Sequence, residues 1–439
     1  MIRVMKVFRY LIITCIVVSG MAMHAQRASI RLAPGYAARM LDHSMDLRKT
    51  NYLYKALRAD TALWDRGLIL SGSLIAIADY QYSTHPSKFG YLMRHPTSSN
   101  QVGQYVSEAL IHHAKLAFTY RANAWMTSFV ELLYHPLQSF GRGTITSLER
   151  NRLELRRGFV LLGNPEYLPV FLAIGKLDVP FGLTGSVNNF TNSTAWHAFG
   201  GLAYGAQVAF HTRHLTAQIM WIQGGAQFRA ANTPVEGTDV PSRVNNFALD
   251  AHYTWAIDAA TELQVGASYL HGSAYCQDFP VEHFKPCSKN NPAWSTYGQL
   301  ELAQIAFKLA YFSTFDVWPG THNPNPPLDI YPAAKVESTS VGLRYHWQNT
   351  FNWEMAVYAE YSDFVAGAPG APWERQSQTI LGMSATSPDF QVLFAELFQT
   401  VGYVPLNFLS GGNFEDPGVT HSVRDARTLG IVVGYNAFF

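Results

Sequence analysis

From Leu429 to Phe439 the chain alternates in character with a period of two. Ile431, Val433, Tyr435, Ala437 and Phe439 are all apolar, whereas Gly430, Val432, Gly434, Asn436 and Phe438 between them are smaller or mixed. Successive side chains of a β-strand point to opposite faces, so this stretch builds one continuous apolar face. The pattern recurs upstream. Phe247, Leu249, Ala251, Tyr253 and Trp255 are interleaved with Ala248, Asp250, His252 and Thr254. Phe351, Trp353, Met355, Val357, Ala359 and Tyr361 alternate with Asn352, Glu354, Ala356, Tyr358, Glu360 and Ser362. Val341, Leu343, Tyr345 and Trp347 alternate with Gly342, Arg344 and His346, and Leu116, Phe118 and Tyr120 with Lys115, Ala117, Thr119 and Arg121.

Composition says what covers the apolar face. Charged residues are 14% of the chain, well below the roughly 25% of soluble domains. Aromatics are also 14%, from 27 Phe, 23 Tyr and 10 Trp. A helical membrane protein needs runs of ~20 apolar residues, and past the N-terminus none occurs. A transmembrane β-barrel meets both observations, because only every second residue of a strand touches lipid. A soluble sandwich with an edge strand at 429–439 is the competing reading, and it leaves the aromatic content without a role. The net charge of +1 gives no footprint for nucleic acid.

Connections alternate between short and long. Short turns fall near 121–124, 163–169, 211–214, 256–261, 348–350 and 386–389. Long polar stretches fall near 83–105, 135–149, 179–198, 224–244, 272–294, 316–336, 363–376 and 401–426. Short periplasmic turns, long outer loops and an even strand count are the rule for outer-membrane barrels. The fold expected is therefore all-β, an antiparallel barrel of about sixteen strands over 67–439. Residues 294–315 must then hold two strands and a turn near Ala303–Gln304, although no Gly, Pro or Asn marks it.

The N-terminus reads as an export signal over 1–25. Arg3, Lys6 and Arg9 supply the charge, Tyr10 to Val18 the apolar region, and Gly20 to Ala25 the small residues before cleavage. An uncleaved inner-membrane anchor is the alternative. Residues 26–66 do not alternate, and 52–60 have helix-forming composition, so this region reads as a short helical extension, periplasmic or lumen-entering. Cys276 and Cys287 form an even pair in an exported chain and are expected to be disulfide-bonded, closing a loop worth roughly 3 kcal/mol. A zinc site using His283 ranks far below that.

No catalytic motif is present, neither a nucleophile elbow, a His-Glu-x-x-His, a phosphate loop nor a dinucleotide fingerprint. His112 and His113 are adjacent on a strand and should face opposite ways. The reading is thus a non-enzyme with no cofactor and no metal site. Candidate pore-lining residues are Lys115, Arg121, Arg152, Glu154, Arg156, Lys176, Asp250, His252, Lys308, Arg344, His346, Glu354 and Glu360. Arg142, Arg150, Arg152, Arg156 and Arg157 face only Glu149 and Glu154, which suggests an anion-preferring stripe. Arg157 and Glu396 fall in phase with apolar neighbours, so they are expected near an interface or beside a bulge. The 184–196 stretch, led by Asp178, Pro180 and Gly182 with Phe181, Leu183 and Phe190 to pack, is a candidate to fold inward and narrow the pore.

Phe439 with its alternating apolar residues resembles the signal read by the outer-membrane barrel assembly machinery. Gly175-Lys-Leu-Asp-Val-Pro-Phe-Gly182 resembles an element of phosphate-selective-type porins. With Gly67–Asp79, the pattern is similar to the LbtU-like siderophore porins. That resemblance implies a barrel that admits a ferric siderophore without a large plug domain, and the function expected is passage of small polar or anionic solutes across the outer membrane, a ferric siderophore among them. The competing function is an adhesin or structural barrel, with the Cys276–Cys287 loop and the Asn/Pro-rich 319–332 segment as its binding surface.

Overall fold

A computed structural model describes residues 29–42, 48–59, 67–90, 103–135, 152–224, 243–258, 260–281, 287, 289–405, 409–411 and 416–439. The export signal read over 1–25 lies outside them. A short strand, β1 (Ser29–Leu32), precedes two helices, α1 (Pro34–Met40) and α2 (Lys49–Ala59). Sixteen strands then follow. They are β2 (Gly67–Ser83), β3 (Tyr105–Asn123), β4 (Met126–His135), β5 (Arg152–Leu162), β6 (Val170–Asp178), β7 (Leu202–His211), β8 (Leu215–Gln223) and β9 (Val244–Ala256), then β10 (Thr261–Leu270), β11 (Ala293–Leu302), β12 (Ile305–Thr314), β13 (Glu337–Gln348), β14 (Glu354–Val365), β15 (Arg375–Thr386), β16 (Gln391–Tyr403) and β17 (Val423–Phe438). A third helix, α3 (Thr194–Phe199), lies between β6 and β7.

Each barrel strand pairs antiparallel with the next, and β17 returns to β2 from Thr428↔Ser83 to Phe438↔Ser73. The sheet is closed. Phe439 and Gly72 exchange backbone hydrogen bonds at 3.1 and 2.9 Å, and the Phe439 ring lies over Gly72, where a Cβ would sit 1.9 Å from it. Only glycine leaves room there. β1 then pairs in parallel with Gly67–Leu70, covering the part of the β2 edge that β17 does not reach.

The expected parity holds through its weakest link. β11 and β12 are joined by Ala303–Gln304 alone, with Ala303 at φ 43°. A left-handed alanine is uncommon, which is why the turn carries no composition signal.

Leu381, Leu393, Leu397 and Leu429 stand half-exposed on the outer surface. Aromatic pairs flank that belt, Tyr82–Tyr105 at the outer end and Tyr253–Trp255 and Tyr345–Trp347 at the turn end. Inward the wall is not uniformly polar. Phe129, Phe159, Leu161, Phe171, Ala173, Met220 and Ala248 are buried together with Tyr36, Met40, Leu41, Leu53, Tyr54 and Leu57 of the N-terminal segment. A sixteen-stranded barrel is wide enough to hold water, so apolar inner residues need a solid cover. The two helices supply it, each buried side chain contributing roughly 1.5–3 kcal/mol.

Candidate functional site

Polar side chains pin the inserted helices as firmly as the apolar ones seat them. On the first turn of α2, Thr50 donates to Gln207 at 2.9 Å and Asn51 to Gln218 at 3.2 Å. Gln207 donates to Gln218 at 2.6 Å, and Gln218 to Asp250 at 3.0 Å. This ladder runs across β7, β8 and β9. Asp250 also accepts from Ser268 at 2.6 Å and Tyr297 at 2.7 Å. Arg48 forks onto both Asp250 oxygens and donates to the Gly182 carbonyl at 2.8 Å. Beneath α1, Lys115 donates to the Leu41 carbonyl at 2.8 Å. Arg157 bridges Glu131 at 2.8 Å and Asp178 at 2.6 Å, and Asp178 also faces the Lys49 backbone N–H at 3.5 Å, at the start of α2.

The segment between β6 and β7, residues 179–201, folds into the barrel. It is almost entirely buried and reaches the opposite wall. Gly182, at φ +67°, makes the inward bend, and its N–H donates to Ser268 at 2.9 Å. Two carboxylates on the far wall receive the tip. Glu360 on β14 accepts from Ser186 Oγ at 2.8 Å, the Val187 N–H at 3.0 Å and Asn188 Nδ2 at 3.3 Å. Glu396 on β16 accepts from the N–H groups of Phe190 and Thr191 and from the Tyr358 hydroxyl, each at 2.9 Å. Lys308 donates to the Gly185 carbonyl, and Arg344 donates to Asn189 at 2.6 Å and the Val187 carbonyl at 3.2 Å. The Phe190 ring stacks on Phe394 at 5.2 Å and meets His112 edge-on at 4.9 Å. The tip is thus held by charge-assisted bonds, the stronger class of hydrogen bond.

Above this segment the outer loops close on one another. Trp318 and Trp373 are fully buried, donating to the carbonyls of Gln277 at 3.1 Å and Thr321 at 2.9 Å. Asn323 donates to the carbonyls of Ser410 and Pro417 at 2.7 and 2.8 Å. Cys276 and Cys287 are disulfide-bonded, with Cα atoms 5.6 Å apart. In the 319–332 segment, expected as an outer binding surface, Thr321 and Asn323 are buried in this packing while Asp329 and Ile330 are exposed.

The residues singled out from sequence divide by what they touch. Lys115, Asp250, Lys308, Arg344 and Glu360 hold inserted segments, and Lys176 donates to the Leu155 carbonyl at 2.9 Å. Arg156 lies 3.8 Å from Glu131, and His252 lies 3.4 Å from Asp250. His346 and Glu354 face a cavity, Glu354 at 3.7 Å from Arg344. Arg121 is half-buried and Glu154 exposed. Arg142, Arg150, Glu149, His283 and the Arg152 side chain lie outside the described residues. The anion-preferring stripe loses two members, since Arg156 and Arg157 are answered by Glu131 and Asp178.

Two sequence expectations are corrected. His112 and His113 do not face opposite ways. Ile75 pairs with His113 and Ala76 with Ile111, so His112 is the extra residue of a bulge, and both rings turn inward with Nδ1 atoms 2.9 Å apart. Glu396 is neither at an interface nor beside a bulge. Its apolar neighbours Val392, Phe394 and Phe398 face inward with it, against the folded-in segment. Arg157 does follow a bulge, at Arg156 opposite Glu131–Leu132. Arg48, Gln207, Gln218 and Glu131 were not named from sequence. Their partners lie far along the chain, 202 residues away for Arg48 and Asp250.

Between the helices, the inward segment and the wall from β10 to β14 lies a cavity of about 580 Å³. It runs from Glu354 and Thr386 at the turn end to the underside of Ser186–Asn189. Arg39, Tyr52 and Lys55 line its helical side, and Glu262, Gln264, Gln299 and Glu301 its wall side.

No protein-family profile matches the chain. A curated relative, a UPF0422 protein of Coxiella burnetii, is 24% identical over 212 residues, covering 45% of this chain and 40% of that protein's length. The barrel is similar to Pseudomonas putida OprB, with a TM-score of 0.52 and 10% identity over 86% of this chain and 96% of that one. It is also similar to the anion-selective porin of Comamonas acidovorans, with a TM-score of 0.50 and 10% identity over 85% and 99%. The chain is a bacterial outer-membrane β-barrel. At these identities the likeness extends to the fold.

Proposed function

We propose that this barrel is a porin-like channel for small polar solutes, with the segment 179–201 and the N-terminal helices setting what passes. The observation that carries this reading is the anchoring of the inward tip on Glu360 and Glu396, which partitions the lumen and leaves a cavity with charged and amide side chains beneath it. Arg344 and His346 line that cavity together with Glu354, 3.7 Å from Arg344, so it offers solutes both signs of charge. The ferric siderophore as cargo is supported by the resemblance that 67–79 and 175–182 carry together, and ferric-siderophore uptake in deleted and complemented cells tests it.

Planar-bilayer recording tests the channel itself. Folded protein should give discrete conductance steps, and deletion of 184–196 should enlarge them. Absence of steps from correctly folded protein overturns the channel, and unchanged steps after the deletion overturn the role of the segment.

A further inference from the structure

The cavity beneath the inward segment is lined by both signs of charge, with Asp42 beside the helices and Lys308, Arg344, His346 and Glu354 on the barrel wall in addition to the groups that follow. α1 contributes Arg39 and α2 contributes Lys55, both exposed to the cavity. The barrel wall contributes Glu262 on β10 and Glu301 on β11, which pair directly across the two strands and so share a face. Two carboxylates in register repel one another and cost stability unless positive charge answers them. Lys55 is within electrostatic reach of Glu262, yet the two close no salt bridge among the described residues. Gln264 and Gln299, also paired across β10 and β11, add amides to the acidic wall. The other lysine and arginine groups of this cavity are engaged, Arg48 with Asp250, Lys308 with Gly185 and Arg344 with the inward tip and Glu354, while the carboxylate of Asp42 is within electrostatic reach of Lys49.

Charges separated across a small wet space are weakly screened, because the space is narrower than a Debye length and its walls are of low dielectric. A solute carrying one sign of charge is attracted by one wall and repelled by the other. A solute carrying both is attracted by both, its ammonium toward Glu262 and Glu301 and its carboxylate toward Arg39 and Lys55. We infer that the cavity selects small zwitterions, of the free amino acid class, with the N-terminal helices as the basic wall and the Glu262–Glu301 pair as the acidic one. This rests on the channel reading above and specifies its substrate class.

Swelling of liposomes containing the purified full chain separates the two claims. The probes are L-alanine, a zwitterion, and lactamide, an uncharged molecule of nearly equal size. Alanine should enter about threefold faster than lactamide, as expected for weakly screened charge attraction. The Glu262→Gln/Glu301→Gln double variant should bring the ratio close to unity and shift the reversal potential in a KCl gradient toward anions. Lys55→Gln should lower the ratio and shift the potential toward cations. Equal entry of both probes into wild-type liposomes overturns the inference while leaving the channel standing. So does a ratio that neither variant changes. Failure of both probes to enter overturns the channel and the inference together.

Discussion

Replacing Glu396 by alanine should release the inward tip. Glu396 is 1% exposed and accepts three hydrogen bonds at 2.9 Å, from Phe190 N–H, Thr191 N–H and the Tyr358 hydroxyl. Bonds to a charged acceptor each contribute ~1.5–3 kcal/mol, and their loss leaves buried donors unmet. Three such bonds are not additive, and Phe190 keeps its ring contacts with Phe394 and His112, worth ~1 kcal/mol each. A net loss of roughly 4 kcal/mol in the seating of the tip is expected, about a thousandfold in its displacement equilibrium. Glu396→Gln should fall between, since one oxygen still accepts while the new amide group faces a backbone N–H. Hydrogen exchange at 186–192 reads the displacement directly, and single-channel recording reads it as larger, noisier steps. Heat-modifiable electrophoretic mobility checks that the barrel is closed. A closed Glu396→Ala barrel with wild-type exchange at Phe190 and Thr191 would show that the carboxylate does not hold the tip.

Arg48→Ala should leave the Asp250 carboxylate buried without its cation, at a cost of about 3–5 kcal/mol, and exchange should rise in both 49–59 and 182–190. If only one of those stretches responds, Arg48 does not join them. Lys49 gives a pH dependence. Burial, reinforced by Arg157, lowers its ammonium from 10.5 to about 8, so between those values the released helix keeps a proton that the docked helix has lost. Docking of α2 should therefore strengthen as pH rises from about 8 toward 10.5, and Lys49→Met should reduce that rise, read as exchange protection over 49–59 corrected for intrinsic rates. Gly72→Ala should displace the Phe439 ring and lower the yield of closed barrel. Gly298→Ala, whose added Cβ would lie 3.6 Å from its nearest neighbour, should fold as wild type. Equal yields would remove Phe439 from closure.

Much of the barrel was legible because strand alternation and loop length are local properties. The eight long connections and the closing strand follow from runs of ten or so residues, so sixteen strands could be counted without any tertiary information. Facing was legible too, and Lys115, Asp250, Arg344 and Glu360 all turn inward as their alternation requires. What those charges do was not legible, because their partners come from the N-terminal segment and from 179–201. The bulge at His112 escaped notice because no glycine or proline marks it. Glu396 is out of phase only in a barrel whose lumen is wet throughout, and here the lumen beside it is filled by the inward segment. Strands with apolar residues on both faces, such as Phe159–Leu161 and Val392–Phe398, signal a lumen filled by protein. That signal was in the sequence and can be used on other barrels of this size.

Arg48 sits where three parts of the molecule meet, beside α2, on Asp250 of the wall and on Gly182 at the root of the inward segment. Thermodynamic linkage makes such a contact reciprocal. Departure of the helices weakens the seating of the segment by the same factor as departure of the segment weakens the seating of the helices. The two obstructions in this lumen are therefore coupled, and the height of each depends on whether the other is in place.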